Sequence, residues 1–382
     1  MIEVKDKSRC CGCGACAQRC PVSCIAMRED EDGFLYPQVD ADACVDCHLC
    51  EQVCPCLNEG VTSDAVHAFA AVNPDVDERM ASSSGGVFSV LARDVIARGG
   101  VVFGARFDDD WNVVHDCADT LEGLAQFRGS KYVQSLIGDS YSKAQSLLKQ
   151  GKPILFTGTP CQIHGLKRFL GKDYENLIAV EVACHGVPSP KVWRSYLRRA
   201  SRGCRPAHVS FRDKSTGWKG YSVLIGDRRR HHDDDNYMIA YLNNYNMRPS
   251  CVDCPSKEWR SGADIMLADL WGADKILQQH DDDKGISALI VRTERGQSLI
   301  HRCGIAGQPI ALDKVVLYNP AVSTNAVRPT DYDRFWQGMR QHPAWTLKRY
   351  RFLGARNRSR VMSQVKVYLH HRLDRLLRGT KS

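Results

Sequence analysis

Residues 151–190 read GKPILFTGTPCQIHGLKRFLGKDYENLIAVEVACHGVPSP, and their pattern decides the fold class. PILFT is a short apolar strand, Gly158-Thr159-Pro160 turns the chain, and CQIHGLKRFL follows as a helix with Pro160 near its first position. LIAVEVA is a second strand that ends at Cys184-His185-Gly186. A strand–helix–strand unit pairs its strands in parallel, so Cys161 and Cys184 both lie beyond carboxyl ends at one edge of the sheet. Open α/β sheets place their chemistry at that edge. Cys161 also starts the helix, where the dipole lowers a thiol's pKa and favours the thiolate.

Working outward, ASSSGGVFSVLARDVIARGGVVFGARF (81–107) divides in the same way. Val87, Leu91 and Val95 repeat on one helical face, Gly99-Gly100 end the helix, and VVFGARF is a strand. The serines and glycines of 82–86 then sit at a helix start. Free N–H groups and the positive dipole end there suit an anion such as a phosphate, while an ordinary serine cap explains the same residues equally well. RSGADIMLADLWG (260–272) reads as a strand and turn, and ISALIVRTERGQSLI (286–300) as strand then helix. Together these units predict a mixed α/β body. GDRRRHHDDDN (226–236) reads as a solvated hairpin tip. Its His231 and His232 would need a further ligand to hold a metal.

The first sixty residues follow different rules. Cys10, Cys13, Cys16 and Cys20-Pro21 spell C-x2-C-x2-C-x3-C-P, and Cys44, Cys47, Cys50 and Cys54-Pro55 spell it again. This run marks a pair of 4Fe-4S cubanes in which each fourth cysteine serves the other cluster. Cys10, Cys13, Cys16 and Cys54 are thereby assigned to one cluster, and Cys44, Cys47, Cys50 and Cys20 to the other. A zinc ribbon has no use for a third cysteine in each run. Cys11, Cys24 and Cys56 fall outside the pattern and read as bystanders.

A further pair, Cys251 and Cys254-Pro255, repeats the C-x2-C-P spacing. With Cys161 and Cys184 it makes four thiolates, the number one more cubane requires. We read these four as a third cluster, since clusters are already built into the chain. Zinc, a redox dithiol and unliganded core cysteines are the alternatives. His185 reads as a structural neighbour.

The chain has 382 residues and 18 cysteines, enough length for two or three cores. It opens on charged MIEVKDKSRC with no leader pattern, and no apolar run reaches membrane-span length. Reduced thiols and clusters point to the cytoplasm. From Leu347 onward, eleven Lys and Arg face Asp374 alone, an excess of +10, so the rest carries −2 of the net +8. Val361, Val365, Leu369 and Leu373 form a helical stripe in this tail. The pattern predicts a basic amphipathic helix that could contact anionic membrane, or dock on the body. The near-neutral body argues against a nucleic-acid partner. The segments expected are a ferredoxin-type part over 1–60, regions over 65–150 and 151–345, and the tail over 346–382.

The ordered motifs SSSGG, GSKYVQS, GTPCQIHGLKRFL, CHGVPSP, CVDCPSK and ADIMLADLWG resemble the family of coenzyme F420 hydrogenase/dehydrogenase beta subunits. The resemblance spans residues 1 to about 330. It implies FAD in the body, with Ser83, Ser84, Gly85, Gly86, Lys131, Tyr132, Gln134 and Thr159 as candidate contacts. It also implies an iron–sulfur flavoprotein oxidoreductase. Such a protein would carry electrons from a low-potential, ferredoxin-like donor through the clusters to FAD and an organic substrate. Relatives act on the 5-deazaflavin coenzyme or on chlorophyll precursors, and others belong with polysaccharide synthesis. The basic tail is most similar to that last group. The alternative is an electron-transfer component of a larger complex, without a substrate site of its own.

Overall fold

The computed structural model describes residues 1–60, 62, 67–277 and 281–353. The helix expected across 361–377 lies outside the described residues. The cysteine-rich start comprises a hairpin of β1 (Ile25–Glu29) and β2 (Leu35–Val39) with short helices Ala15–Arg19 and Leu49–Gln52. The body contributes β3 (His67–Ala71), β4 (Val101–Phe107), β5 (Val113–Ala118), β6 (Ile154–Gly158) and β7 (Leu177–Val182). There follow β8 (Val209–Asp213), β9 (Ser222–Ile225) and β10 (Arg228–His231), then β11 (Ile265–Asp269), β12 (Ser287–Val291) and β13 (Gln308–Pro309).

Eight of these strands form one mixed sheet in the order β13-β3-β12-β11-β7-β6-β4-β5. Its centre, from β4 through β6 and β7 to β11, is parallel, as the 151–190 unit predicts. Strand alternation divides the core between two faces. Phe103, Phe156, Leu177 and Ala179 pack under helix Pro160–Leu170 with Ile163 and Leu166. Val102, Leu155, Ile178 and Val180 pack on the other side with Leu91 and Val95 of helix Val87–Ala97. A central parallel strand covered on both faces is apolar almost throughout, which is why PILFT and LIAVEV read as near-continuous runs; the exception, Glu181, is buried 3.5 Å from the Arg292 guanidinium.

The remaining strands, β8, β9 and β10, make a small antiparallel sheet. Here the hairpin expectation needs correction. Arg228–His231 is the returning strand β10, paired with β9, and only Gly226-Asp227 turn the chain. Charged residues suit an edge strand because they discourage pairing with another chain. Asp235, at the end of the acidic run, caps helix Asn236–Leu242 by accepting from the Tyr237 and Met238 N–H groups.

The N-terminal part shares its core with the body. Phe34 and Tyr36 of the β1–β2 hairpin are buried among Trp193, Phe211, Tyr237, Phe335 and Trp336. Helix Ala15–Arg19 lies against helix Pro160–Leu170, where Gly165 leaves room for Cys13; a Cβ there would stand 3.0 Å from the Cys13 sulfur.

Candidate functional site

Gly12 and Gly14 carry the first cysteine run round a tight loop with φ of +68° and +73°, a left-handed conformation that glycine adopts freely. The loop and its partners enclose a void lined by Cys10, Cys13, Cys16 and Cys54, and also by Cys11 and Cys56. A second void is lined by Cys20, Cys44, Cys47 and Cys50, together with Cys24. The crossed grouping of Cys20 and Cys54 is thus present in the fold. The supposed bystanders are not apart from these groups: Cys24 Sγ is 3.4 Å from Cys20 Sγ. Cys11 is in contact with Cys13, Cys56 and Cys161. Sequence spacing identifies residues that share a loop, but it carries no information on which neighbours a compact loop turns toward the same void.

A third void is lined by Cys161, Cys184, Cys251 and Cys254, with Cys11, His185, Arg248 and Lys257 around them. Cys161 comes from the start of its helix, Cys184 from the loop after β7, and the other two from the turn at Pro249–Val252 and just beyond. Burial pushes the Cys184 thiol up to about 11 and the Cys251 thiol to about 12. Cys161 goes the other way, to about 7. The direction matches the sequence expectation, but its first cause is a hydrogen bond from the Cys11 thiol. The Val187 N–H points at Cys251 Sγ from 3.4 Å, and Lys257 Nζ holds the Cys184 carbonyl at 2.6 Å. Four grouped thiols, two cations and an amide donor suit a thiolate-ligated metal centre, for which thiolates are the preferred soft ligands.

Beyond the third void, and sharing Cys184, His185, Gly186 and Val187 with it, opens a cleft of about 280 Å³ at the carboxyl ends of β6, β7 and β11. Its wall includes Ser82, Ser83, Ser84, Gly86, Arg128, Lys131, Tyr132, Thr159 and Tyr241. Gly86 caps the helix Val87–Ala97 with φ +79°. The three serines are already engaged: Ser82 Oγ donates to Glu78 O, Ser84 Oγ donates to Ile286 O, and Ser83 Oγ accepts from Ser130 N–H. Ser83 therefore keeps its own O–H to donate. Lys214 Nζ, donating to the carbonyls of Arg79, Ser84 and Lys284, fixes the loop from behind. His115 is buried on the wall and burial lowers it to about 4; it bonds Ser135 Oγ and Thr157 O. His185 Nε2 is buried without a hydrogen-bond partner.

Two expected contacts stand elsewhere. Gln134 bonds Cys11 O and Arg248 at the junction of the first and third voids, so it is off the cleft wall. Gly85 lies behind the wall, where its N–H donates to Ser287 Oγ and a Cβ would meet Ala71 O at 2.5 Å. The sequence reading missed Arg128, Arg248 and Tyr241, since single residues between motifs carry no spacing signal. His231, His232 and Asp233 gather on the small sheet, but the His231 ring nitrogen already accepts from Asp233 N–H and His232 bonds Tyr221 O.

Comparison with known proteins places these features. Residues 151–313 match the family model for the C terminus of the coenzyme F420 hydrogenase/dehydrogenase beta subunit, and residues 9–58 match a "4Fe-4S dicluster domain". The F subunit of the F(420)H(2) dehydrogenase of Methanosarcina mazei is 21% identical over 47% of this chain and 54% of its own length. An uncharacterised protein of Methanocaldococcus jannaschii is 27% identical over 46% of this chain and 56% of its own. The chain thus spans about half the length of these two relatives. A ferredoxin of Mycolicibacterium smegmatis is 33% identical over 22% of this chain and 71% of its own length. A solved chain of an F420-reducing NiFe hydrogenase complex from Methanosarcina barkeri overlays with a TM-score of 0.46 at 16% identity, covering 75% of this chain and 91% of that one. Residues 151–313 thus carry the C-terminal region of the coenzyme F420 hydrogenase/dehydrogenase beta-subunit family, with a 4Fe-4S dicluster domain at 9–58 ahead of it.

Proposed function

We propose that this protein is an iron–sulfur flavoprotein oxidoreductase that passes electrons between a low-potential protein donor and an organic substrate. The observation that carries the reading is the continuity of the walls. Cys11 is common to the first and third voids, and Cys184 to Val187 are common to the third void and the cleft.

In this reading Cys10, Cys13, Cys16 and Cys54 hold one cubane, Cys20, Cys44, Cys47 and Cys50 a second, and Cys161, Cys184, Cys251 and Cys254 a third. Ser83, Ser84, Gly86, Arg128, Lys131, Tyr132 and Thr159 would hold FAD. Iron–sulfur clusters supply one-electron transfer, and a flavin joins one-electron to two-electron chemistry. The chain's own residues position and insulate. Lys131 presents positive charge near the helix start, where the dipole also favours phosphate, while the Arg128 guanidinium, paired with Glu78 and donating to Ser89 Oγ, shapes the wall beside it. Tyr132 and Tyr241, stacked at 4.7 Å, form an apolar wall. His185, with its unpaired Nε2, offers a polar contact between the third void and the cleft. Cys47 is exposed, which suits the outer site to a protein donor.

Iron, sulfide, zinc and flavin analysis of anaerobically purified protein tests the reading. It expects about twelve irons, from four per cubane, and one FAD. Stoichiometric zinc in place of four irons would remove the third cluster, and absence of flavin would remove the oxidoreductase assignment.

A further inference from the structure

We propose that Arg248 sets the reduction potentials of the first and third thiol sites together; this rests on the cluster reading above. The residue is 1% exposed, and its guanidinium lies where the two sites meet. Nε donates to Cys10 O at 2.7 Å, and Nη2 approaches Cys10 Sγ at 3.6 Å while donating to Leu35 O at 2.9 Å. Nη1 donates to Gln134 Oε1 at 3.0 Å. The same side chain forms part of the wall around Cys161, Cys184, Cys251 and Cys254. Its face lies over the Tyr36 ring, 4.3 Å from the centroid.

Among the described residues no carboxylate pairs with this guanidinium, and the groups facing it include the Cys10, Cys11, Cys56, Cys161 and Cys251 thiols and the Phe34 and Tyr36 rings. A guanidinium does not lose its proton in a protein, so the charge is permanent. An unpaired buried charge is costly and calls for a negative partner. Thiolate-ligated iron–sulfur centres on either side are anionic, and more so when reduced. Net charge and hydrogen bonds at the sulfurs are what set their potentials. Arg248 therefore favours the reduced form at both sites. Gly12 makes the approach possible: a Cβ there would stand 2.7 Å from Nη1. Lys257, by contrast, borders the third site alone, and the outer site of Cys20, Cys44, Cys47 and Cys50 has neither cation on its wall.

The test uses the full chain, purified anaerobically, with EPR-monitored redox titration of wild type, Arg248→Gln, Arg248→Lys and Gln134→Glu. Wild-type iron and sulfide are measured first. A deficit of four irons there sinks the cluster reading, independently of any role for Arg248. With all sites filled, Arg248→Gln should disfavour reduction of the first and third sites at least tenfold, about 59 mV per tenfold for one electron. The outer site should stay unmoved, and Arg248→Lys, which keeps the charge, should fall between Arg248→Gln and wild type. Gln134→Glu keeps the guanidinium, places a carboxylate beside it, and should shift the same two sites in the same direction. It reads the effect even if Arg248→Gln does not fold. Unchanged potentials in the variants that retain iron, an equal shift at all three sites, or matching behaviour of Arg248→Lys and Arg248→Gln would overturn the proposal.

Discussion

Lys131 keeps its ammonium against the carbonyl oxygens of Gln126 and Arg128, at 2.8 and 2.9 Å, and burial brings its pKa down to about 7. A bound phosphate favours the charged amine and so raises that pKa. Attraction is then fully present below pH 7 and weakens as pH rises through 7, because binding must first take up a proton. Affinity for FAD should fall across that range and become flat with pH in Lys131→Met; equilibrium dialysis against FAD at a series of pH values reads both. In the proposed third cluster each of the four cysteines supplies one ligand. Cys251→Ser should lower iron by about four per chain and leave the dicluster spectrum in place. An unchanged iron count would reassign that cysteine.

Helix starts and helix contacts carry the next set of constraints. Ser83 accepts from Ser130 N–H, a bond an aspartate could keep, so Ser83→Asp adds charge without removing the acceptor. A negative charge at this helix start should exclude the pyrophosphate of the proposed flavin, leaving purified protein with no flavin released on denaturation but with iron intact. Full flavin occupancy would move the binding site elsewhere. At the interface of helix Pro160–Leu170 with the N-terminal part, a Cβ on Gly165 would stand 3.0 Å from Cys13 and Tyr141. Alanine gains about 1 kcal/mol in helix propensity, while overpacking a filled contact costs about 1–3 kcal/mol. Cys13 is held from its other side when a cluster is bound, so the steric cost should win. Gly165→Ala is expected to lower the melting temperature and alter the EPR signal of the first site, with the outer site unchanged.

Across the whole molecule, the N-terminal part and body share the aromatic core of Phe34, Tyr36, Trp193 and Trp336. That sharing holds the first void against the third instead of leaving it on a tether. The C-terminal sequence adds a positive charge that the near-neutral body does not balance. Each basic residue near an anionic surface contributes about 1 kcal/mol. The full chain should therefore float with anionic vesicles at low salt and release at high salt, whereas a chain lacking 354–382, cut beyond the buried Leu347 and Tyr350, should stay behind. Equal behaviour of the two would leave the tail a docking element. No helix among the described residues is long and apolar enough to cross a membrane.

Local rules made much of this legible. Two C-x2-C-x2-C-x3-C-P runs identify a dicluster loop because thiolate spacing on one tight turn is a property of a few consecutive residues. PILFT and LIAVEV announce buried parallel strands because both faces must be apolar. With these come Cys161 and Cys184 at one sheet edge and the glycine-rich start of helix Val87–Ala97. Only the tertiary structure could put Cys11 and Cys56 on the wall of the first void, move Gln134 from the cleft to the cluster junction, and bring Arg248 against Cys10 across 238 positions. Those contacts depend on how distant segments pack, and a lone glutamine or arginine has no period or spacing that records its partner.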